Sequence, residues 1–382
     1  MPPASTGIVR CCAFIFSVGF LFACGGTSDA PDSTDAYVRL GYVHDTVAVT
    51  PEEARQLTHI NYAFANVTEE GRVVLESEQD SANLAQLRAL KSVHSDLKIL
   101  LSIGGWAWSD YFSNAALTDS SRVRFARSAV ALLRKHQLDG LDLDWEYPGQ
   151  QGENNVYRPE DDSNFTRLLQ TVRRHLNRQG RRDGRTGDDR YLLTIAAGAS
   201  ADYLAHTNMA AAHKPLDYVH LMTYDFHGSW TSHTGHHANL YPPATPDTMQ
   251  LSAAHTVTQF IKAGVPARKL VLGVPFYGRG WAGVTPTNKG LYQSYEASRG
   301  GYPYDTLASL AKQEAFVRRW DSTAQAPTLW NADSSLLITY ETPASLRAKT
   351  HFVKSRGLAG IMYWEHNSDD GTLLQTLYDH LH

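Results

Sequence analysis

The stretch Asp139-Gly140-Leu141-Asp142-Leu143-Asp144-Trp145-Glu146-Tyr147-Pro148 alternates acidic with large apolar residues. Successive side chains of a β-strand point to opposite faces. Leu141, Leu143 and Trp145 therefore share one face and Asp142, Asp144 and Glu146 the other, about 6.6 Å between neighbours on a face. Such alternation ordinarily marks a strand with one solvated face. The surrounding sequence argues otherwise. Short apolar runs recur at 38–43, 60–65, 99–103, 141–145, 192–197, 218–224, 270–276 and 360–364, with amphipathic segments between them. That rhythm belongs to βα units around a parallel sheet, whose strands are covered on both faces. The apolar face of 139–148 then meets helices, and its three acids point into the sheet's other side.

Eight such strands predict an α/β fold, a closed (β/α)8 TIM barrel. The rival, a doubly wound open sheet, would want a glycine-rich phosphate loop early in the chain, and the sequence has none there. Helix signals agree with the strand count. Thr50-Pro51-Glu52-Glu53 reads as a capping box with Pro at the first helical position. Ser163 or Asn164 is placed to cap a helix whose Leu168, Leu169, Val172 and Leu176 share a face, and 122–135 carries a similar stripe. The interval 282–342, rich in Tyr, Gly and Trp, does not read as one crossover helix. It predicts a small α+β insertion between strands seven and eight, at the barrel mouth.

The N-terminus is different in kind. Arg10 precedes an apolar run from Cys11 to Ala23, too short to span a bilayer but right for a signal-peptide core. Leu21-Phe22-Ala23-Cys24 resembles a bacterial lipobox, so residues 1–24 are expected to be a leader with lipid attachment at Cys24, plain secretion being the alternative. Residues 25–36 read as a flexible tether, and 37–382 as the barrel. The chain is thus expected to be exported and monomeric. All three cysteines lie within the leader, which leaves the body without a disulfide. A net charge of −4 and no basic cluster resembling a nucleic-acid site argue against such a partner. Eight Trp and nineteen Tyr are a large aromatic set, and sugar rings stack on aromatic planes.

Three carboxyl groups inside a barrel cannot all stay ionised, so at least one pKa must rise. Glu146 comes last, at the C-terminal end of its strand where barrel active sites lie, and a raised pKa there provides a general acid. A calcium loop would need its glycine elsewhere and a backbone free to wrap an ion. The histidines His227, His233, His236 and His237 follow strand six in a spacing that fits no metal pattern, and predict a solvated or cleft-lining loop. No cofactor is called for.

These ten residues match the signature of glycoside hydrolase family 18, the chitinases, and the chain resembles that family from Tyr37 onward. The resemblance includes Ser102-Ile103-Gly104-Gly105-Trp106, Met222-Thr223-Tyr224-Asp225, Gly273-Val274-Pro275-Phe276-Tyr277-Gly278-Arg279 and Gly360-Ile361-Met362-Tyr363-Trp364. It implies a retaining, substrate-assisted cleavage of β-1,4-linked N-acetylglucosamine in chitin. Glu146 would be the acid and then the base; Asp144 would orient the acetamido group; Asp142 would share a proton with Asp144. Tyr224 and Asp225 would hold that group from the opposite side. Trp364 would form the floor, with Trp106, Met222, Tyr277, Arg279, Tyr42 and Phe64 around the sugar. Strand parity alone would put Asp225 on the wrong face, unless the strand ends before it. An endo-β-N-acetylglucosaminidase uses similar acids. Non-catalytic chitin-binding relatives typically lack the terminal glutamate, which is present here.

Overall fold

The computed structural model describes residues 37–244 and 251–381; the expected leader, tether and Cys24 lie outside the described residues. Eight parallel strands form the centre: Val38–His44, His59–Val67, Lys98–Gly104, Gly140–Asp144, Leu192–Gly198, Tyr218–Met222, Leu270–Pro275 and Gly360–Trp364. They bond side by side in chain order. The first pairs with both the second and the eighth, which closes the barrel.

The helices form where the sequence caps them. Thr50 and Glu53 exchange hydrogen bonds to open Pro51–Gln56, as the capping box predicts. Asp119–Lys135 starts earlier than the apolar stripe suggested, because Thr118 caps it. Asp161–Arg182 also starts ahead of Ser163. Asp161 is buried there, accepting from Ser113 Oγ at 2.7 Å and the Arg158 amide at 2.8 Å.

The fourth strand shows how the alternation is used. Leu141 and Leu143 are wholly buried in the layer between strands and helices. Each contributes about 2 kcal/mol through removal from water. Trp145 continues that face past the end of the strand, stacked on Phe112 (5.3 Å between centroids, 9° between planes) and edge-on to Phe165. At the strand's start Asp139 is fixed from three directions. Lys91 donates to it at 2.6 Å, the Ile99 amide at 2.9 Å and Arg185 at 3.0 Å.

Two of the strand ends that differ from expectation shape the site. The sixth stops at Met222 rather than Tyr224, because the Thr223 side chain takes over the ladder. Its Oγ1 donates to the Gly273 carbonyl at 2.7 Å and accepts from the Gly273 amide at 3.1 Å. The seventh stops at Pro275, and the Phe276 amide donates instead to the Trp364 carbonyl. A second, five-stranded antiparallel sheet follows. Its order is Ala297–Pro303, Tyr277–Ala282, Leu336–Thr339, Ala326–Asn331 and Val317–Asp321, with the helix Tyr304–Leu310 beside it. It takes in Tyr277, upstream of the expected start at residue 282. Tyr277 and Arg279 therefore belong to this sheet and not to the barrel.

Candidate active site

Parallel strands bring their C-terminal ends to one face of the barrel, and a cleft of about 1170 Å³ opens there. Asp144 and Glu146 lie in its wall; Asp142 is fully buried beneath them. The register explains what Asp142 meets. It sits level with Ser102 on the third strand and Thr194 on the fifth. Both hydroxyls donate to it, at 2.7 and 2.6 Å, and Tyr42 Oη adds a third bond at 2.9 Å. His220 Nδ1 lies 3.4 Å from the same carboxylate and 3.1 Å from Tyr42 Oη.

The acids divide accordingly. Burial alone would raise Asp142, but His220, Thr194 and Ser102 outweigh it and hold its pKa below the usual carboxylate value. Asp144 is driven well above that value by burial and by the charges of Glu146 and Asp142. One of its oxygens, Oδ1, is buried with no hydrogen-bond partner among the described residues. Glu146 is pushed up to about 7 by burial first, opposed by a hydrogen bond from Tyr147 and assisted by the charge of Asp225. Burial and like charge thus raise Asp144 and Glu146, while Asp142 is held low. Three hydroxyl donors favour the ionised form of Asp142.

Backbone geometry sets the outermost acid. Gly104 and Gly105 turn the chain with φ of 103° and 84°. A Cβ at Gly104 would lie 2.3 Å from the Asp144 carbonyl, so only glycine fits there. The turn brings Ser109 under the fourth strand, where its Oγ accepts from the Glu146 amide at 2.9 Å.

The opposite wall is built around Asp225. Because the sixth strand has already ended, Asp225 is free to adopt a φ of 59° and turn into the cleft. Tyr277 Oη donates to it at 2.7 Å, and Arg279 does so twice at 2.6 Å, through Nε and Nη2. With His237 and Arg279 outweighing burial, its pKa is well below the usual range. Met222 and Tyr224 line the same cleft. Trp364 lines it as well, stacked on Phe64 at 5.6 Å and 20°. Trp106 stands half exposed at the rim, on a short 3₁₀ turn beyond the third strand.

Of the expected sugar contacts, Tyr42 alone is misplaced. It is 2% exposed, lies below the cleft, and serves Asp142 instead. The first strand runs deeper than its aromatic content suggested, so Tyr42 falls one layer down. The histidine loop divides: Ser229, Trp230, Ser232 and His233 are exposed and the first two line the cleft, while His227, His236 and His237 are buried. Among the described residues no cluster of three or more His, Cys, Asp or Glu is placed to hold a metal ion.

Several lining residues escaped the sequence reading. Trp230 is 58% exposed and covers the Arg279 guanidinium at 4.8 Å. A single Trp among Gly, Ser and Thr in the sequence was the available signal. His44 and Glu365 approach to 3.6 Å beside Trp364, and only their positions at the ends of strands one and eight could have marked them. His220 and Ser109 are visible only through register and the turn at Gly104–Gly105.

The profile of "Glycosyl hydrolases family 18" matches residues 36–369. The chain belongs to that family. As a family 18 glycoside hydrolase it is similar to Chitinase A1 of Niallia circulans, at 36% identity over 411 residues; the match takes in 90% of this chain and 58% of that protein. The chain thus spans little more than half the length of that relative. Chitinase 1 of Aphanocladium album is 34% identical over 344 residues, covering 82% of this chain and 75% of its own. Among solved structures, a family 18 N-acetylglucosaminidase from Paenibacillus barengoltzii superposes with a TM-score of 0.85 at 44% identity. That match covers 90% of this chain and 100% of that one. A Group IV chitinase from Ostrinia furnacalis, solved with allosamidin, gives 0.81 at 27%, covering 90% and 98%.

Proposed function

We propose that this family 18 enzyme hydrolyses β-1,4-linked N-acetylglucosamine in chitin or chitooligosaccharides, with retention and with the substrate's own acetamido group as nucleophile. The observation that carries the reading is the row of acids: Glu146 keeps a proton to near neutrality beside Asp144, one buried oxygen of which has no hydrogen-bond partner among the described residues. Glu146 gives its proton to the glycosidic oxygen as the bond to the anomeric carbon breaks. The acetamido carbonyl oxygen bonds to that carbon, forming an oxazolinium ion. Asp144 passes its proton to the ionised Asp142 below it, accepts from the acetamido N–H and, as a carboxylate, balances the positive charge. Tyr224 and Asp225 position the group from the facing wall, and Trp364 with Phe64 supports the sugar ring. Glu146, now a carboxylate, takes a proton from water whose oxygen opens the oxazolinium ion.

Release of a chromophore from di- and tri-N-acetylchitooligosaccharides tests this. Wild type is active, and Glu146→Gln loses at least about a hundredfold; equal rates would remove Glu146 from its role. The anomeric form of the first product, followed by NMR, tests retention. A second reading, removal of single N-acetylglucosamine units from a chain end, is supported by the 44% identity to the Paenibacillus barengoltzii N-acetylglucosaminidase. Product lengths from a hexamer separate the two: monomer alone supports chain-end removal, di- and trimers the chitinase.

The apolar run before Cys24 supports export, with the barrel held at the cell envelope through a lipid on Cys24. Palmitate labelling of wild type against Cys24→Ala tests the anchor.

A further inference from the structure

The face opposite the cleft carries a charge of its own. In the barrel every helix runs back antiparallel to the strands, so the helix-to-strand connections all lie at the strands' N-terminal ends. The stretches 55–58, 88–98, 134–139, 181–190, 213–217, 262–269 and 354–359 hold sixteen Lys and Arg against six Asp. The whole chain has 35 basic and 39 acidic residues, so this face is sharply opposite in sign to the remainder.

A helix C-terminus favours cations, and that accounts for basic residues in last turns such as Lys135, Arg182 and Lys262. It extends to Arg356, the C-cap of the helix Pro343–Ser355, and to Arg268 in the short 3₁₀ turn Ala267–Lys269, but not to Lys214, which lies past its helix; all three are exposed. Some of the charge is spent internally: Arg185 serves Asp139, and Arg173 and Arg190 serve Asp217. Lys135, Arg182, Lys262 and Arg268 face water. The chain enters the barrel on this same face. The Tyr37 ring lies 5.8 Å from Lys354, and the Val38 amide donates to the Ala359 carbonyl. The cleft, with Asp144, Glu146, Asp225 and Glu365, opens at the far end.

We propose that the strands' N-terminal face docks on an anionic lipid headgroup layer. The face is positive, and the chain's point of entry is on the docking side. Binding there leaves the cleft directed away from the membrane, toward substrate. The interaction is long-range and salt-screened, and requires no insertion of the barrel.

The test uses the full chain and a variant with Lys135→Glu, Arg182→Glu, Lys262→Glu and Arg268→Glu, none of which touches the cleft. Each is sedimented with phosphatidylcholine vesicles and with vesicles containing 30% phosphatidylglycerol. Whatever retention residues 1–36 give on neutral lipid is common to both proteins. Wild type is expected to bind the anionic vesicles at least about tenfold more tightly than the neutral ones at 50 mM salt, and to lose that preference at 500 mM. The variant is expected to lose the preference while keeping wild-type hydrolysis of a soluble chromogenic substrate, which shows that it folds. Equal binding of wild type to both vesicles overturns the proposal, as does an undiminished preference in the variant. Retention on soluble polyphosphate with none on anionic vesicles assigns the face to another partner, and overturns it too.

Discussion

Replacing Tyr147 by Phe should move the alkaline limit of activity upward. Glu146 must be protonated to act as the acid, and its pKa of about 7 makes activity fall roughly tenfold per pH unit above neutrality. The Tyr147 hydrogen bond works against that proton, because it stabilises the carboxylate. The ring lies between Trp106 and Tyr203, so phenylalanine keeps the packing and removes only the hydroxyl. A hydrogen bond to a charged group is worth about 1.5–3 kcal/mol, and about 1.4 kcal/mol corresponds to one pKa unit. Taking the lower end, the limb moves from about 7 to about 8. The ratio of kcat/KM at pH 8.5 to that at pH 6 should then rise about eightfold over wild type. The assay is a pH series on a soluble chromogenic chitooligosaccharide, with thermal unfolding to establish that the variant folds. A limb that stays in place, or moves to lower pH, would refute the hydrogen-bond argument.

Asp225→Asn should shift the same limb the other way, because the Asp225 charge helps to raise Glu146; kcat/KM against pH reads the sign. Glu146→Gln should stabilise the fold at pH 8 while leaving it nearly unchanged at pH 4. Between about 4.5 and 7 the unfolded glutamate ionises while the folded one stays protonated, which weakens the wild-type fold as pH rises through that window. The gain is of order 3 kcal/mol, read from denaturant midpoints at the two pH values. Gly273→Ala should cost the barrel about 3 kcal/mol or more, since its Cβ would lie 2.1 Å from the Leu221 carbonyl. Lys349→Met should cost about 3–5 kcal/mol by leaving Glu341 charged and buried, and Glu341→Gln added to it should recover much of that loss; urea unfolding measures both.

Alternation and spacing made the fold legible. The apolar runs found all eight barrel strands, because burial on both faces leaves long hydrophobic stretches that polar loops interrupt. Strand ends were harder to see. Nothing in Met222-Thr223-Tyr224 says that the Thr223 hydroxyl replaces the ladder, yet that substitution frees Asp225 to turn into the cleft. Depth was equally hidden. Tyr42 and Phe64 look alike as aromatics on neighbouring strands, but one lies a layer below the cleft and the other lines it. The acids themselves were plain, since period two fixes their face whatever the neighbours do. Their proton distribution was not, because the hydroxyls that hold Asp142 come from Ser102, Thr194 and Tyr42, brought together only by register across three other strands.

The charges along 139–148 also bear on how the barrel assembles correctly. Asp139 is gripped by Lys91 and Arg185 at one end of the segment, and Asp142 by three hydroxyls further along. A slip of one residue would turn Asp142 and Asp144 into the leucine layer and Leu143 toward the hydroxyls, burying two carboxylates among hydrocarbons. Misaligned pairings are thereby made costly throughout the strand, and the groups that carry the chemistry act as a proofreading device for folding.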